Sequence, residues 1–326
     1  MTTKKLDFRG QAFKDVLSFT VRHWREQPWR IFAVTSLVLL SALADVLTPM
    51  FAGHLVDAIA SGSAGNPAAW HAAITAFCIL AGLGLGATLL RQGVFMNIIP
   101  LTLEMMSKIA ANAFHRVQRF STDWHANSFA GSTVRKITRG MWALDILNDT
   151  LLIALFPSLV MLVGSTVLLG VRWPLMGAVV GISSLLYIAV TAMLSLGFVA
   201  PAARLANAWD TRMGGALADA VSCNTVVKAF GAEVREEALL ARIIGKWRHR
   251  TKRTWVRGTL NGGVQGGMLV LIQASILGAA LLLWARGEAS VGDITFALTM
   301  FFMLQGYLRE VGMHVDRKST RLNSSH

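Results

Sequence analysis

The strongest constraint on this chain is a set of apolar stretches, each about twenty residues long or longer, that recur along its 326 residues. An α-helix rises 1.5 Å per residue, so about 20 apolar residues cross a hydrocarbon layer roughly 30 Å thick. Charged residues make up only 15% of the chain, against about 25% in an ordinary soluble domain. The sequence therefore predicts an all-α membrane protein and excludes a soluble enzyme.

The pattern predicts six membrane-spanning helices, joined alternately by short and long connections. Their approximate ranges are 31–57, 72–100, 146–171, 174–200, 258–285 and 291–312, the last being the least complete. The long connections, 101–145 and 201–257, keep apolar residues at helical spacing. We therefore expect two long helical extensions into the cytoplasm, each with a short helix across its tip, the first capped by Ser121 or Thr122.

Basic residues indicate the orientation. The chain carries 31 Lys and Arg against 18 Asp and Glu, a balance that in a soluble protein suggests nucleic acid or an anionic surface. Seven of the basic residues lie in 1–30, six in 101–145 and eleven in 201–257. The positive-inside rule therefore predicts that the amino terminus and both long connections are cytoplasmic, and no nucleic-acid partner is expected.

The segment ahead of the first span, residues 1–30, interleaves apolar side chains such as Phe8 and Phe13 with basic ones. This pattern is typical of an amphipathic helix at the inner membrane interface, and a solvated basic tail is the alternative. Trp24 and Trp29 suit the headgroup region.

Two of the charged residues, Asp45 and Arg91, lie well inside the first two predicted spans, where they are costly unless paired or hydrated. Asp45 is about 21 Å along the first span. It is a candidate pathway residue, and the alternative is a structural hydrogen bond to a neighbouring helix. Arg91, a second candidate pathway residue, lies near the inner end of the second span, where its side chain can snorkel to the headgroups. Because their depths differ, no pair between them is expected.

The fifth span carries Asn261, Gln265 and Gln273 broadly on one face. These amides either line the pathway or hydrogen-bond between helices, and the second alternative is slightly favoured. Four interleaved glycines form two small-xxx-small pairs, for which close packing is the commoner use: Gly262, Gly263, Gly266 and Gly267.

The remaining candidate side chains indicate neither catalysis nor metal binding. Tyr187, Trp173 and Trp284 are expected at the lipid face or the membrane interface. The histidines and the two cysteines are scattered without metal-ligand spacing, so neither a metal site nor a catalytic residue is predicted.

Six spans with two long cytoplasmic excursions resemble the transmembrane domain of ABC exporters, and local motifs strengthen the resemblance. NTVVKAFGAE at 224–233 is similar to the family's stretch after its second coupling helix. WHANSFAGSTVRKIT at 124–138 resembles the family's first coupling helix, but His125 stands where a second aromatic is usual and Gly140 where an acidic residue is usual. Weaker matches are PMFAGHLVD at 49–57 and VGDIT at 291–295.

The resemblance, which covers about residues 10–316, implies partners and contact residues. Two such domains pair in a homo- or heterodimer, and two nucleotide-binding domains that hold ATP and Mg receive the coupling helices in their grooves. The first coupling helix is expected around Trp124, Asn127, Gly131 and Val134. The second is expected at Val221, Ser222, Asn224 and Thr225, followed by Lys228, Phe230 and Glu233.

No GxxxxGK(S/T) phosphate loop occurs in the sequence, so this chain by itself is expected to hold no cofactor and to hydrolyse no ATP. The nucleotide-binding domain is expected in a longer form of the same chain or on a separate subunit. Residues 31–316 are assigned to a transmembrane domain with an incomplete sixth helix. Residues 317–326 do not resemble the family and are assigned to an artefactual tail.

The implied function is the permease part of an ATP-driven exporter in the bacterial inner membrane, which moves a lipidic or amphipathic compound by alternating access. A secondary transporter is one alternative, for which Asp45 is the only central carboxylate that offers an ion-coupling site. A non-transporting membrane scaffold or channel-regulatory subunit is the other.

Overall fold

The computed structural model describes residues 16–62, 66–127 and 130–321, and no β-strand occurs within these ranges, which confirms the all-α class. The helices are α1 (16–25), α2 (Pro28–Ala60), α3 (Pro67–Val117), α4 (Thr122–Asn127), α5 (Ala130–Asn148), α6 (Phe156–Arg172), α7 (Pro174–Leu194), α8 (Ala200–Ser222), α9 (Asn224–Ala229), α10 (Glu233–Ala285) and α11 (Val291–Arg321). Two π-helical segments, Asp149–Leu155 and Ser195–Val199, join α5 to α6 and α7 to α8.

Six helical stretches of the described part are long and apolar enough to cross a bilayer. They are Pro28–Ala60, Pro67–Val117, Thr133–Arg172, Pro174–Ser222, Glu233–Ala285 and Val291–His314. Each contains one predicted span, so the six-span prediction is confirmed. The second and fifth stretches have 51 and 53 residues. At 1.5 Å per residue they are more than twice as long as a bilayer requires, so helices do continue beyond it.

Proline and asparagine define where several helices begin. Pro28, Pro67 and Pro174 each stand in the first turn of their helix, where the missing N–H has no intrahelical partner to lose. The Asn66 side chain accepts a hydrogen bond from the Ala68 N–H at 3.0 Å and so caps α3. These residues explain why α3 begins at Pro67 and α7 begins at Pro174.

The described residues form two compact units. The first contains the described residues up to Gly164 together with Val291–Phe296. Its core lies where α2 packs on α3. It is a cluster of buried apolar side chains from these helices and the first π-helical segment: Val34, Val38, Val94, Ile98, Leu101 and Leu152.

The second unit contains Ser165–Ser290 and the described residues from Ala297 onward. In it, α10 packs against both α7 and α8. Arg257 of α10 donates to the Phe198 carbonyl at 2.9 Å, and its guanidinium lies over the Phe198 ring. A π-helical turn shifts the regular backbone hydrogen bonds, so this contact supplies a partner to one of its carbonyls.

The last helix extends further than its sequence suggests. Residues 317–321 belong to the polar segment assigned to a tail, yet α11 is helical as far as Arg321. Polar composition therefore does not end this helix, although the assignment of 317–326 to a tail stays a prediction.

Candidate pathway and coupling sites

The structure pairs the two charged residues of the first two spans. One guanidinium nitrogen of Arg91, Nη2, donates to both carboxylate oxygens of Asp45 at 3.0 Å. The carboxylate side chain is mostly covered, with 15% of its surface exposed, whereas that of Arg91 is 54% exposed. The prediction that these residues do not pair is therefore wrong.

The physical reason is the direction in which helical side chains lean. Every Cα–Cβ bond tilts toward the amino terminus of its own helix. Helices α2 and α3 form an antiparallel hairpin, so Asp45 on α2 leans toward the open end and Arg91 on α3 leans toward the closed end. The long arginine side chain covers the remaining difference in depth.

The polar residues of α10 lie against α7 and the segment that follows it. Asn261 is 1% exposed, and its Nδ2 donates to Ser195 Oγ at 3.3 Å. Gln265 is buried and Gln273 is half-buried. The favoured prediction, hydrogen bonding between helices, is thus observed for Asn261, while a pathway role for the three amides stays a prediction.

A polar row on α7 and the first residue of the π-helical segment after it was missed by sequence reasoning. Ser184, Tyr187, Thr191 and Ser195 follow one another at helical spacing and all are buried. Within the described residues, Ser184 Oγ and Thr191 Oγ1 have no hydrogen-bond partner. The spacing of three and four residues within an apolar segment is the signal that could have revealed this row.

Two aromatic residues expected at the lipid face are buried instead. Tyr187 has none of its surface exposed, and Trp173 has 7%. A methyl group placed on Gly312 would lie 3.3 Å from the Tyr187 hydroxyl and 2.9 Å from Gln265 Oε1, so a glycine leaves room for these polar groups. Trp284 is exposed as predicted. The polar atoms of Tyr and Trp allow either location, and only packing decides between them.

The four glycines expected to pack closely in α10 make no close contact within the described part of the chain. A Cβ at Gly262, Gly263, Gly266 or Gly267 would meet no atom within 4 Å. Close packing at glycine is found instead at Gly177, which no prediction named, since a Cβ there would collide with the backbone of Gly170. This contact joins α6 and α7 across their one-residue turn.

The amphipathic segment is helical over its described residues, 16–25, and Phe8 and Phe13 lie outside them. Trp24 donates from Nε1 to Oδ1 of Asn148 at 3.1 Å, and the fully buried Asn148 donates to Thr102 Oγ1 at 3.2 Å. The Trp24 side chain is thus hydrogen-bonded to α5. The Trp29 side chain is 82% exposed, as suits a position among the headgroups. One buried amide therefore connects α1, α3 and α5.

An ion pair reinforces this attachment. Lys108 Nζ of α3 lies 3.1 Å from Glu26 Oε2, just after α1. The hydrogen bond from Lys108 holds the pKa of Glu26 below its usual range; desolvation opposes this shift, and the positive charge of Lys108 adds to it.

The first tip contains a short helix, α4, but it covers Thr122–Asn127 and not the predicted 124–134, and Ser121 is its cap. The Trp124 N–H donates to Ser121 Oγ at 3.2 Å, and the Trp124 ring packs on Phe120 with centroids 4.5 Å apart. Val134 lies beyond the tip helix, in α5, and is exposed. The side chains of Asn127 and Gly131 lie outside the described residues.

The second tip is shifted along the sequence from its predicted position. Val221 and Ser222 end α8, and the short helix is α9, Asn224–Ala229, so a helix at 221–225 is wrong by about three residues. The break occurs at Cys223, whose φ of −101° and ψ of 20° are not helical. Asn224, Thr225 and Lys228 belong to α9, and Glu233 begins α10.

The geometry after α9 explains the motif VKAFGAE. Gly231 adopts φ +58°, which favours glycine, and its N–H donates to the Lys228 carbonyl at 3.1 Å. The Ala232 N–H donates to the Val227 carbonyl at 2.9 Å. These two bonds form a Schellman motif, which ends α9 and turns the chain into α10.

The second tip presents apolar side chains to its surroundings. Phe230 is 82% exposed, and Val221, Val226 and Val234 are more than half exposed. These side chains come from the end of α8, from α9 and the turn after it, and from the start of α10, so exposed apolar groups occur along the whole of the second tip.

The two weaker motifs contact one another within the first unit, where α2 ends and α11 begins. Asp57, at the end of PMFAGHLVD, accepts a hydrogen bond from the Gly292 N–H of VGDIT at 2.7 Å. A Cβ on Gly53 would lie 2.6 Å from the Gly292 carbonyl oxygen. The acidic side chain thus caps α11, where the helix dipole favours negative charge.

Comparison with known proteins yields three findings. The family model for the ABC transporter transmembrane region matches residues 31–308. An ATM1-type heavy metal exporter of Novosphingobium aromaticivorans is 26% identical over 300 residues, which are 87% of this chain and 46% of that protein. A solved structure of a bacterial Atm1-family ABC exporter with ATP bound has a TM-score of 0.73 at 21% identity, and the match covers 93% of this chain and 54% of the other.

The last of these similarities concerns the fold, because identity with the solved structure is low. In both relatives the chain spans about half the length of the protein it matches.

Proposed function

The chain belongs to the family of ABC transporter transmembrane regions, and on that premise we propose that it is the permease part of an ATP-driven exporter that works by alternating access. It pairs with a second transmembrane subunit and transmits movement from nucleotide-binding domains that bind ATP and Mg. Its membrane is the bacterial inner membrane, with the amino terminus in the cytoplasm. Its cargo is a lipidic or amphipathic compound.

One observation carries this proposal: a stiff helix pair ends in a small tip with exposed apolar side chains. Helices α8 and α10 contact one another, and α9 lies at their end. A packed helix pair transmits displacement because well-packed interiors deform little. Phe230 offers a contact surface for a nucleotide-binding domain at the end of this lever.

The alternative of a secondary transporter loses support from the Asp45–Arg91 pair. An ion-coupling carboxylate has to bind and release a cation, whereas Asp45 already holds the guanidinium of Arg91. A heavy metal, the cargo in the curated relative's name, is a second candidate cargo.

The test uses the transporter reconstituted in proteoliposomes with its nucleotide-binding domains. ATP hydrolysis and uptake are measured with amphipathic compounds and, separately, with divalent heavy metals. We expect Phe230→Asp to lower cargo-stimulated hydrolysis at least about tenfold, because a charge in an apolar contact is strongly unfavourable. Leu239→Asp, which adds the same charge to an exposed position of α10 beyond the tip, is the control.

Three results would contradict the proposal. Equal effects of the two variants would mean that the tip makes no special contact. Uptake that follows an ion gradient without ATP would favour a secondary transporter. Absence of any uptake by the assembled protein would favour a scaffold.

A further inference from the structure

A basic cleft lies between α8 and α10, within the second unit. Its volume is about 390 Å³, and it is lined by Trp209, Arg242, Gly245, Lys246, His249 and Arg250. Trp209 lies nine residues beyond the predicted span 174–200, or roughly 14 Å along the helix. The cleft therefore belongs to the extension outside the bilayer and is separate from the polar residues inside the spans.

The cations of the cleft form a row. Arg242, Lys246 and Arg250 follow one another at intervals of four residues on α10. Residues four apart lie on the same helix face about 6 Å from one another, so the row is roughly 12 Å long. A ligand that meets all three needs negative charge distributed over a similar length.

Trp209 holds two cationic groups in place. The guanidinium of Arg212 lies 4.7 Å from the centroid of the Trp209 ring, and the ammonium of Lys246 lies 5.2 Å from it. A cation at this distance over an aromatic ring is attracted by the ring's quadrupole. The tryptophan thus orders two flexible side chains without neutralising their charge, which lowers the entropy lost when a ligand binds.

The positive charge of the cleft is not compensated. No acidic residue lines it, and no ion pair found among the described residues involves Arg242, Lys246 or Arg250. Lys108 on α3 shows the contrast, because it pairs with both Glu26 and Glu104. Like charges held close together repel, and an anion that binds between them removes that repulsion.

We propose that this cleft binds an anion that carries at least two phosphate groups. Arginine presents a planar fork of donors that matches phosphate oxygens, and lysine adds a compact positive charge. Gly245 leaves the floor of the cleft open, since a Cβ there would meet no atom within 4 Å. Such an anion is either a soluble polyphosphate compound or the headgroup of a multiply phosphorylated lipid.

The test measures binding of radiolabelled pyrophosphate to the full chain in phosphatidylcholine nanodiscs at low ionic strength. We expect saturable binding that the double substitution Lys246→Gln with Arg250→Gln weakens at least about tenfold. The matched control is Arg248→Gln with Lys252→Gln, which removes the same charge from exposed positions of α10 outside the cleft. The control is expected to change the affinity less than about twofold.

A further variant and a second set of nanodiscs, which contain a phosphorylated lipid, extend the test. Trp209→Leu keeps every charge but removes the ring that orders Lys246 of the cleft and the neighbouring Arg212, and we expect it to weaken binding severalfold. Nanodiscs that contain phosphatidylinositol 4,5-bisphosphate identify the source of the ligand. Competition with pyrophosphate indicates a lipid headgroup, and its absence indicates a soluble anion.

Two outcomes would overturn the proposal. One is the absence of saturable pyrophosphate binding by the unsubstituted chain. The other is equal weakening by the cleft and control substitutions, which would show attraction to the helix's overall charge. Neither outcome depends on a nucleotide-binding domain or a transported compound, so failure here is distinguishable from failure of the proposed function.

Discussion

At the scale of single residues, side-chain direction decides which groups meet inside the first unit. Counting residues along each span gives the depth of a Cα atom, but Arg91 carries its charge several ångströms away from its own Cα. Its guanidinium reaches Asp45 because both side chains lean toward one another along the hairpin of α2 and α3. An ion pair at this depth explains how two costly residues persist in adjacent spans.

A double-mutant cycle tests this pair. Asp45→Asn and Arg91→Gln each leave one partner without its opposite charge, whereas the double variant removes both charges. We expect the loss in free energy of unfolding in the double variant to be about 1–2 kcal/mol smaller than the sum of the two single losses. Reversible unfolding in mixed micelles measures all four proteins, and strict additivity would show that the pair contributes nothing.

The Glu26–Lys108 pair predicts a dependence on pH. The folded state lowers the pKa of Glu26, so the carboxylate contributes stability at pH values above its ordinary pKa. That contribution is lost as the pH falls through the lowered pKa, when the carboxylate is protonated. The protection factors of the α1 amides, which compare the measured hydrogen-exchange rate with the intrinsic rate at the same pH, are expected to fall over this acidic range. Glu26→Gln is expected to remove that part of the pH dependence.

At the scale of elements, close backbone approach joins α2 to the start of α11. A Cβ on Gly292 would collide with the Gly53 carbonyl oxygen and the Asp57 carboxyl group. The Gly53 carbonyl belongs to the backbone, and the Asp57 carboxyl group accepts the hydrogen bond from the Gly292 N–H. Neither group can therefore move away without a loss of free energy. The contact therefore requires glycine at both positions.

Two alanine substitutions distinguish this packing role from helix propensity. Gly292→Ala is expected to destabilise the protein by about 2 kcal/mol or more through overpacking. Gly278→Ala lies in α10, where a Cβ meets no atom within 4 Å, and is expected to stabilise by up to about 1 kcal/mol. Thermal unfolding compares the two, and a similar sign for both would contradict the close approach.

At the scale of the whole molecule, the two native cysteines report the orientation in the membrane. Both are exposed in the structure. Cys223 lies between α8 and α9 at the second tip, whereas Cys78 lies eleven residues into α3, or roughly 17 Å along an apolar helix. A bilayer therefore covers Cys78 and leaves Cys223 in water.

Labelling with a membrane-impermeant maleimide tests the proposed topology. Cys223 is expected to react in inside-out membrane vesicles and not in intact cells, because the proposed topology places the tip in the cytoplasm. Cys78 is expected to remain unlabelled in both preparations. Cys223→Ser is the control for specificity, and labelling of Cys223 in intact cells would reverse the orientation.

Much of the candidate coupling region follows from local sequence. Ser121 caps α4 because its hydroxyl reaches an N–H three residues later, and Gly231 ends α9 because its φ is positive. The second tip helix begins about three residues later than the sequence predicts, since neither proline nor glycine marks the break at Cys223. Local interactions thus predict the existence of a tip more reliably than its boundaries.

The sequence by itself determined the number of spans, the all-α class and the long extensions, because bilayer thickness and backbone hydrogen bonding leave few other solutions for such apolar stretches. Only the tertiary structure decided that Arg91 meets Asp45, that Tyr187 and Trp173 are buried, and that Asp57 caps α11. These contacts join residues distant in sequence. They depend on how helices face one another, which the periodicity of a single helix does not specify.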